Sequence, residues 1–133
     1  MNVFVDASFL IALFHTHDAF HTKAQTTLKK LKQDSFQPIY SNIVLAETTN
    51  FLFRLKGPKT ASKLFKLIQK SDIQEVPLTK ETFEVGYEIL FSQKSRKDMG
   101  FFDCLHVATM KQSSIDTILT FDSHFKKYVR VYD

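Results

Sequence analysis

Short apolar segments alternate along this chain with longer stretches whose apolar residues recur at helical spacing. Few folds accept that alternation. A strand of three or four residues without a polar face must be covered on both sides, and helices between successive strands supply the cover by making the sheet parallel. Val3-Phe4-Val5 puts the first strand at residues 2–5, and a short helix follows over Ala7–Phe14. A second helix is expected from Asp18, as its cap, to about Gln33, with Phe20, Ala24, Leu28 and Leu31 in phase. Phe36–Tyr40 reads as a strand, and Pro38 marks it as an edge strand or a strand start.

Ser41 or Asn42 caps a third helix running through Leu55, and Gly57-Pro58 ends it. Lys59–Gln69 is a fourth helix, Ile73–Val76 a strand, and Thr79 to about Ser92 a fifth helix capped by Thr79. A charged loop over Lys94–Gly100 leads to a helix over Phe101–Lys111, then strands at Thr117–Leu119 and Tyr128–Val131. Repeats, linkers and low-complexity segments are lacking, so residues 1–133 are expected to form one α/β domain.

Four acids stand where these apolar elements meet turns: Asp6, Glu47, Asp103 and Asp122. A carboxylate among core-forming residues costs free energy unless it is paired, hydrogen-bonded or bound to a cation. Asp6 and Asp122 follow strands, at the edge where parallel sheets gather function. Glu47 and Asp103 lie in early turns of helices that can reach the same edge. Each aspartate also has a local explanation as a helix or turn cap. Glu47, inward-facing and mid-helix, has the weakest one and calls for a cation. Hard oxygen donors without Cys or His pairs beside them suit Mg²⁺ or Mn²⁺ better than zinc.

The net charge of +4 conceals grouped cations: Lys29–Lys32, Arg54–Lys70, Lys94–Lys97 and Lys126–Arg130. Such groups attract polyanions, although each is also an ordinary solvated helix surface. The one cysteine, Cys104, excludes an internal disulfide framework and agrees with a reducing cytoplasm. No apolar run approaches the ~20 residues of a membrane span, and the first residues lack the pattern of a signal peptide.

In order, Val-Phe-Val-Asp6-Ala-Ser8, Ala46-Glu47, Asp103-Cys-Leu-His-Val-Ala and Leu-Thr120-Phe-Asp122-Ser-His-Phe125 resemble the PIN-domain ribonucleases. Within them the chain is most similar to the VapC-like toxins of type II toxin–antitoxin pairs. Asp18-Ala-Phe-His21-Thr-Lys-Ala24 resembles the family's second helix, so the likeness spans residue 3 to about 125. It implies a three-layer α/β/α sandwich around a short parallel sheet and a Mg²⁺- or Mn²⁺-dependent endoribonuclease. It further implies a cytoplasmic homodimer with RNA as substrate and an antitoxin protein as partner.

By the same resemblance, Asp6, Glu47, Asp103 and Asp122 are the catalytic and metal-holding acids, Asp6 and Asp103 foremost. Ser8 and Thr120 support them. Asp98 lies near enough to Asp103 to be an auxiliary acid, although a loop aspartate is more often just solvated. Two departures weaken the surroundings. Phe101 stands where a serine or threonine commonly precedes the third acid, and Glu47 is followed by Thr48-Thr49-Asn50 rather than apolar residues.

Other readings compete. A PIN-like module could hold RNA without cutting it, and a non-toxin PIN nuclease could process RNA. A phosphoacceptor receiver domain needs an acidic pair after the first strand and a central aspartate, neither of which is here. His17 and His21, with His15, superficially resemble a zinc motif, but Asp18 stands where the general base should be glutamate. Cys104 beside Asp103 reads better as a small buried residue than as a nucleophile.

Overall fold

The computed structural model describes residues 1–132. Five short strands form one sheet: β1 (Asn2–Val5), β2 (Gln37–Ser41), β3 (Gln74–Val76), β4 (Thr117–Leu119) and β5 (Arg130–Val131). Their order is β3-β2-β1-β4-β5, and every pairing is parallel. Six helices connect them: α1 (Ala7–Phe14), α2 (His21–Gln33), α3 (Asn42–Lys56), α4 (Pro58–Lys70), α5 (Lys80–Ser92) and α6 (Phe101–Gln112). A 3-10 turn at Ser123–Lys127 precedes β5.

From β1 the chain steps to β2 and β3 in one direction, then crosses back to β4 on the other side of β1. Right-handed crossovers carry helices made in opposite directions to opposite faces. The packing agrees: α1 packs against α2, α3 and α4, whereas α5 and α6 pack on each other. The result is the expected α/β/α sandwich. Val3, Phe4, Val5, Phe9, Leu10, Ile118, Leu119 and Phe125 are buried in its core. Each large aliphatic or aromatic side chain removed from water contributes about 1.5–3 kcal/mol before its entropy cost.

Most expected elements stand within a residue or two of their observed limits, and three differ for physical reasons. Asp18 does not cap α2. Its carboxylate accepts from Phe20 N–H at 2.8 Å and holds a turn, and the helix starts only at His21. Pro38 is at the strand start, as the second residue of β2, and not on an edge strand, because β2 lies between β3 and β1. Gln37 N–H donates to Met1 O, so the following residue faces β3, where pairing begins only at Ile39. Pro38 therefore interrupts no ladder. The last strand is shorter than expected, because Tyr128 and Val129 close the 3-10 turn on Phe125 O.

Ser41 proves to be the cap of α3, accepting from Val44 N–H at 3.2 Å. Gly57, at φ +85°, sits in the region that side chains avoid and joins α3 to Pro58 at the start of α4. On the other face, α5 and α6 meet where Gly86 lies against Leu105. A Cβ added at Gly86 would stand 2.7 Å from Leu105 Cδ2. Among the described residues no helix is long and apolar enough to cross a membrane.

Candidate active site

Connections leave β1 and β4 in opposite directions, which opens a crevice beyond their carboxyl ends. Phe4 pairs with Ile118 and Val5 with Leu119, so Asp6 and Thr120 are next in register. Asp6 N–H donates to Leu119 O at 3.0 Å and fixes the backbone there. Although Asp6 occupies the N-cap position of α1, its side chain caps nothing. Instead its Oδ2 accepts from Thr120 Oγ1 at 2.5 Å and from Ser8 Oγ at 3.0 Å.

Each hydroxyl has one proton and has given it to Asp6. Their mutual contact of 3.2 Å is consequently proximity rather than a third bond. Their lone pairs are used too: Ser8 Oγ accepts from Phe121 N–H and Thr120 Oγ1 from Asp122 N–H. Two neutral groups thus lock a buried carboxylate without cancelling its charge, and they leave Oδ1 to other partners.

Glu47 is accommodated differently. Its Oε1 lies 2.6 Å from Nε2 of His106, whose side chain is 0% exposed. A carboxylate only accepts, so Nε2 carries the proton of this bond. Among the described residues His106 Nδ1 is buried without a hydrogen-bond partner. Sequence reasoning expected Glu47 to need a cation and missed His106. The signal was present: Asp103 and His106 are three apart on α6 and share a face.

Asp103 is half-buried in the first turn of α6, whose N-cap is Gly100, so it too is no cap. Burial pushes its carboxyl up to about 6; His106 opposes that, while Asp6, Asp122 and Glu47 add to it. The other three acids therefore all lie within electrostatic reach of Asp103. Asp122 does what its local explanation foresaw, since it accepts from His124 N–H at 2.9 Å and starts the 3-10 turn. Its Oδ1 also lies 3.0 Å from His124 Nδ1.

Several secondary candidates fall away. Asp98 does not act on Asp103; its charge raises the Tyr128 hydroxyl after desolvation has done so. His17 lies in the turn before α2, so it shares no helix face with His21, whose Nδ1 lies 2.7 Å from Ala12 O. Cys104 is fully buried, and burial followed by the Asp103 charge raises its thiol, the opposite of an activated nucleophile. Phe101 supplies no hydroxyl near Asp103, and its ring stacks on Tyr87 at 4.7 Å.

The donor chemistry and the sign of the charge suit a hard divalent cation. Asp6 offers one unbonded oxygen, and Asp103 is raised to about 6 by burial and then by neighbouring anions that a cation would offset. Among the described residues, however, no three His, Cys, Asp or Glu side chains are yet gathered closely enough to hold an ion. The acids form an electrostatic cluster rather than a finished cage.

Residues 3–131 match the family model of the PIN domain. Among solved structures, the chain is similar to VapC20 of Mycobacterium tuberculosis, described as a sarcin-ricin loop cleaving toxin. The identity is 26%, with coverage of 96% of this chain and 95% of that one, and the TM-score is 0.78. VapBC2 from Rickettsia felis, bound to a promoter DNA fragment, matches at 15% identity over 99% and 98% of the chains, TM-score 0.79. FitAcB from Neisseria gonorrhoeae matches at 20% identity over 100% and 97%, TM-score 0.70. No curated protein matches.

Proposed function

The chain belongs to the PIN domain family, and from that premise we propose that residues 1–133 form a single nuclease domain hydrolysing RNA phosphodiester bonds. The observation that carries this reading is the Asp6 carboxylate, fixed at the crevice by Ser8 and Thr120 and within electrostatic reach of the raised Asp103. Mg²⁺ or Mn²⁺ is the proposed cofactor. When bound, such an ion supplies charge neutralisation at the scissile phosphate and a water acidic enough to attack it.

The chain's own residues do the rest. Asp6 and Asp103 are the principal ligands in this proposal. Ser8 and Thr120 orient Asp6 so that Oδ1 is presented, and outer contacts of this kind are often worth 10–100-fold in metal affinity or activity. His106 holds Oε1 of Glu47, which leaves Oε2 for another partner. Asp122, tied to the 3-10 turn, borders the crevice beside Thr120 and keeps a second anionic group there.

The named likenesses support a toxin role. VapC20 is a toxin that cleaves the sarcin-ricin loop, and VapBC2 and FitAcB are assemblies of the same fold. We therefore propose the toxin component of a toxin–antitoxin pair, acting in the cytoplasm as a homodimer and restrained by an antitoxin protein. One observation favours a second reading: among the described residues no three ligands are gathered, as a PIN-like module that binds RNA without cutting it would have it.

RNA digestion decides between them. Cleavage with Mg²⁺ or Mn²⁺, abolished by EDTA and by Asp6→Ala and Asp103→Ala, is expected. Undiminished cleavage by both variants would sink the assignment, and tight RNA binding in EDTA without any cleavage on metal addition would favour the module.

A further inference from the structure

Next to the acids lies an aromatic ladder that the hydrolytic reading does not use. Buried Phe9 stacks on Phe121 at 5.4 Å, and Phe121 stacks on Phe20 at 4.6 Å, with interplanar angles of 15° and 13°. Phe20 is the top rung and is 47% exposed. Its neighbour Ala19 is also exposed, and the Asp18 turn fixes the backbone beneath.

Phe20 stands between two hollows. One, of about 480 Å³, holds Ser8, Asp18 and Asp122 on the acidic side. The other, of about 380 Å³, is lined by Lys23, Thr27, Thr120, Ser123 and Lys126. Thus Phe20 and Asp122 border both, and a chain leaving the acids over Phe20 enters a hollow with two cations. Lys23 Nζ lies 6.0 Å from the Phe121 ring centre, and neither Lys23 nor Lys126 has a carboxylate partner among the described residues.

A flat ring backed by two others cannot fold away, yet it leaves apolar surface in water. Unpaired ammonium groups beside it match a phosphodiester, and sequence-tolerant recognition of single-stranded nucleic acid combines these two elements. We propose that Phe20 is a stacking platform for an unpaired base of the RNA next to the scissile bond. Lys23 and Lys126 then take the adjoining phosphate. This subsite rests on the RNA-hydrolysing reading and adds to it a preference for unpaired RNA near the cut.

The chain has no tryptophan, so F20W introduces a sole indole reporter at the platform. In EDTA, where cleavage is off, a short unstructured oligoribonucleotide should quench that indole and bind F20W as it binds wild type. F20A should bind about 5-fold or more weakly, within the range for losing one stacked base. K23Q/K126Q should bind more weakly and with a shallower salt dependence. In the presence of Mn²⁺, F20A should lose cleavage of the unpaired RNA through KM, while its thermal stabilisation by Mn²⁺ stays that of wild type.

Equal quenching by inorganic polyphosphate would overturn stacking, since that polyanion has no bases. Wild-type binding and cleavage by both F20A and K23Q/K126Q would overturn the subsite while leaving RNA hydrolysis intact. A wild-type protein that neither binds nor cuts RNA would remove the hydrolytic reading, and the subsite with it.

Discussion

Asp6 and Glu47 present the same problem in sequence, an acid flanked by apolar residues, and the fold answers it in two ways. Asp6 accepts hydrogen bonds from two neutral hydroxyls on one oxygen. Glu47 receives an imidazole N–H from a residue 59 positions away and gains a partner able to balance charge. Hydroxyls orient an anion without satisfying its need for a cation; an imidazole can do both. Asp6 is therefore built to wait for a ligand from outside, whereas Glu47 is stable without one.

The sharpest way to break this contrast is Asp6→Ala. Cleavage should fall by more than about 100-fold, the upper end for losing an outer contact, and Mn²⁺ should no longer raise the melting temperature. Residual metal stabilisation at wild-type strength would mean that Asp6 is not a ligand. Thr120→Val comes next. It keeps the carboxylate and removes one clamp, so Mn²⁺ affinity by calorimetry should drop about 10- to 100-fold. Unchanged affinity would show the short hydroxyl contact to be incidental.

Smaller again is the Glu47–His106 bond. In EDTA a double-mutant cycle of Glu47→Gln and His106→Leu, followed by urea unfolding, should give a coupling on the order of 1 kcal/mol. Strict additivity would remove the bond from the account of why Glu47 is tolerated.

The gentlest test is pH. Folded Asp103 holds its proton to about 6, and the unfolded carboxyl near 3.9, so metal-free protein loses stability as pH rises through that window. Asp103→Asn should flatten the slope and stabilise the metal-free fold above it by about 1 kcal/mol, after solvent screening. Identical pH curves for the two proteins would contradict the burial and the crowding together.

Near-chain features were legible. The limits of β1, α1 and β4, the Ser41 and Thr79 caps and the parallel sheet follow from patterns a few residues long. Asp18 was misplaced because aspartate caps helices and closes turns with the same oxygen, and only the surrounding packing decides which. Pro38 stands at a strand start, one of the two places expected for it, and not at an edge, because a missing donor matters only where a neighbour would have used it. Asp6, Ser8 and Thr120 were recognisable as members of a set from their order. That both hydroxyls point at one oxygen depends on the β1–β4 register, which no short spacing encodes. His106 was overlooked beside Cys104, since its worth comes from α3, an element far away in the chain.

Leu105 sits between Asp103 and His106 on α6, and Gly86 on α5 is what lets it seat. A helix without any of the proposed acids therefore backs the stretch of α6 that carries two working residues. Support, not chemistry, is what α5 contributes, much as a shim steadies a cutting edge it never touches. One methyl group at Gly86 would stand 2.7 Å from Leu105 Cδ2 and oblige that side chain to shift within the α5–α6 contact.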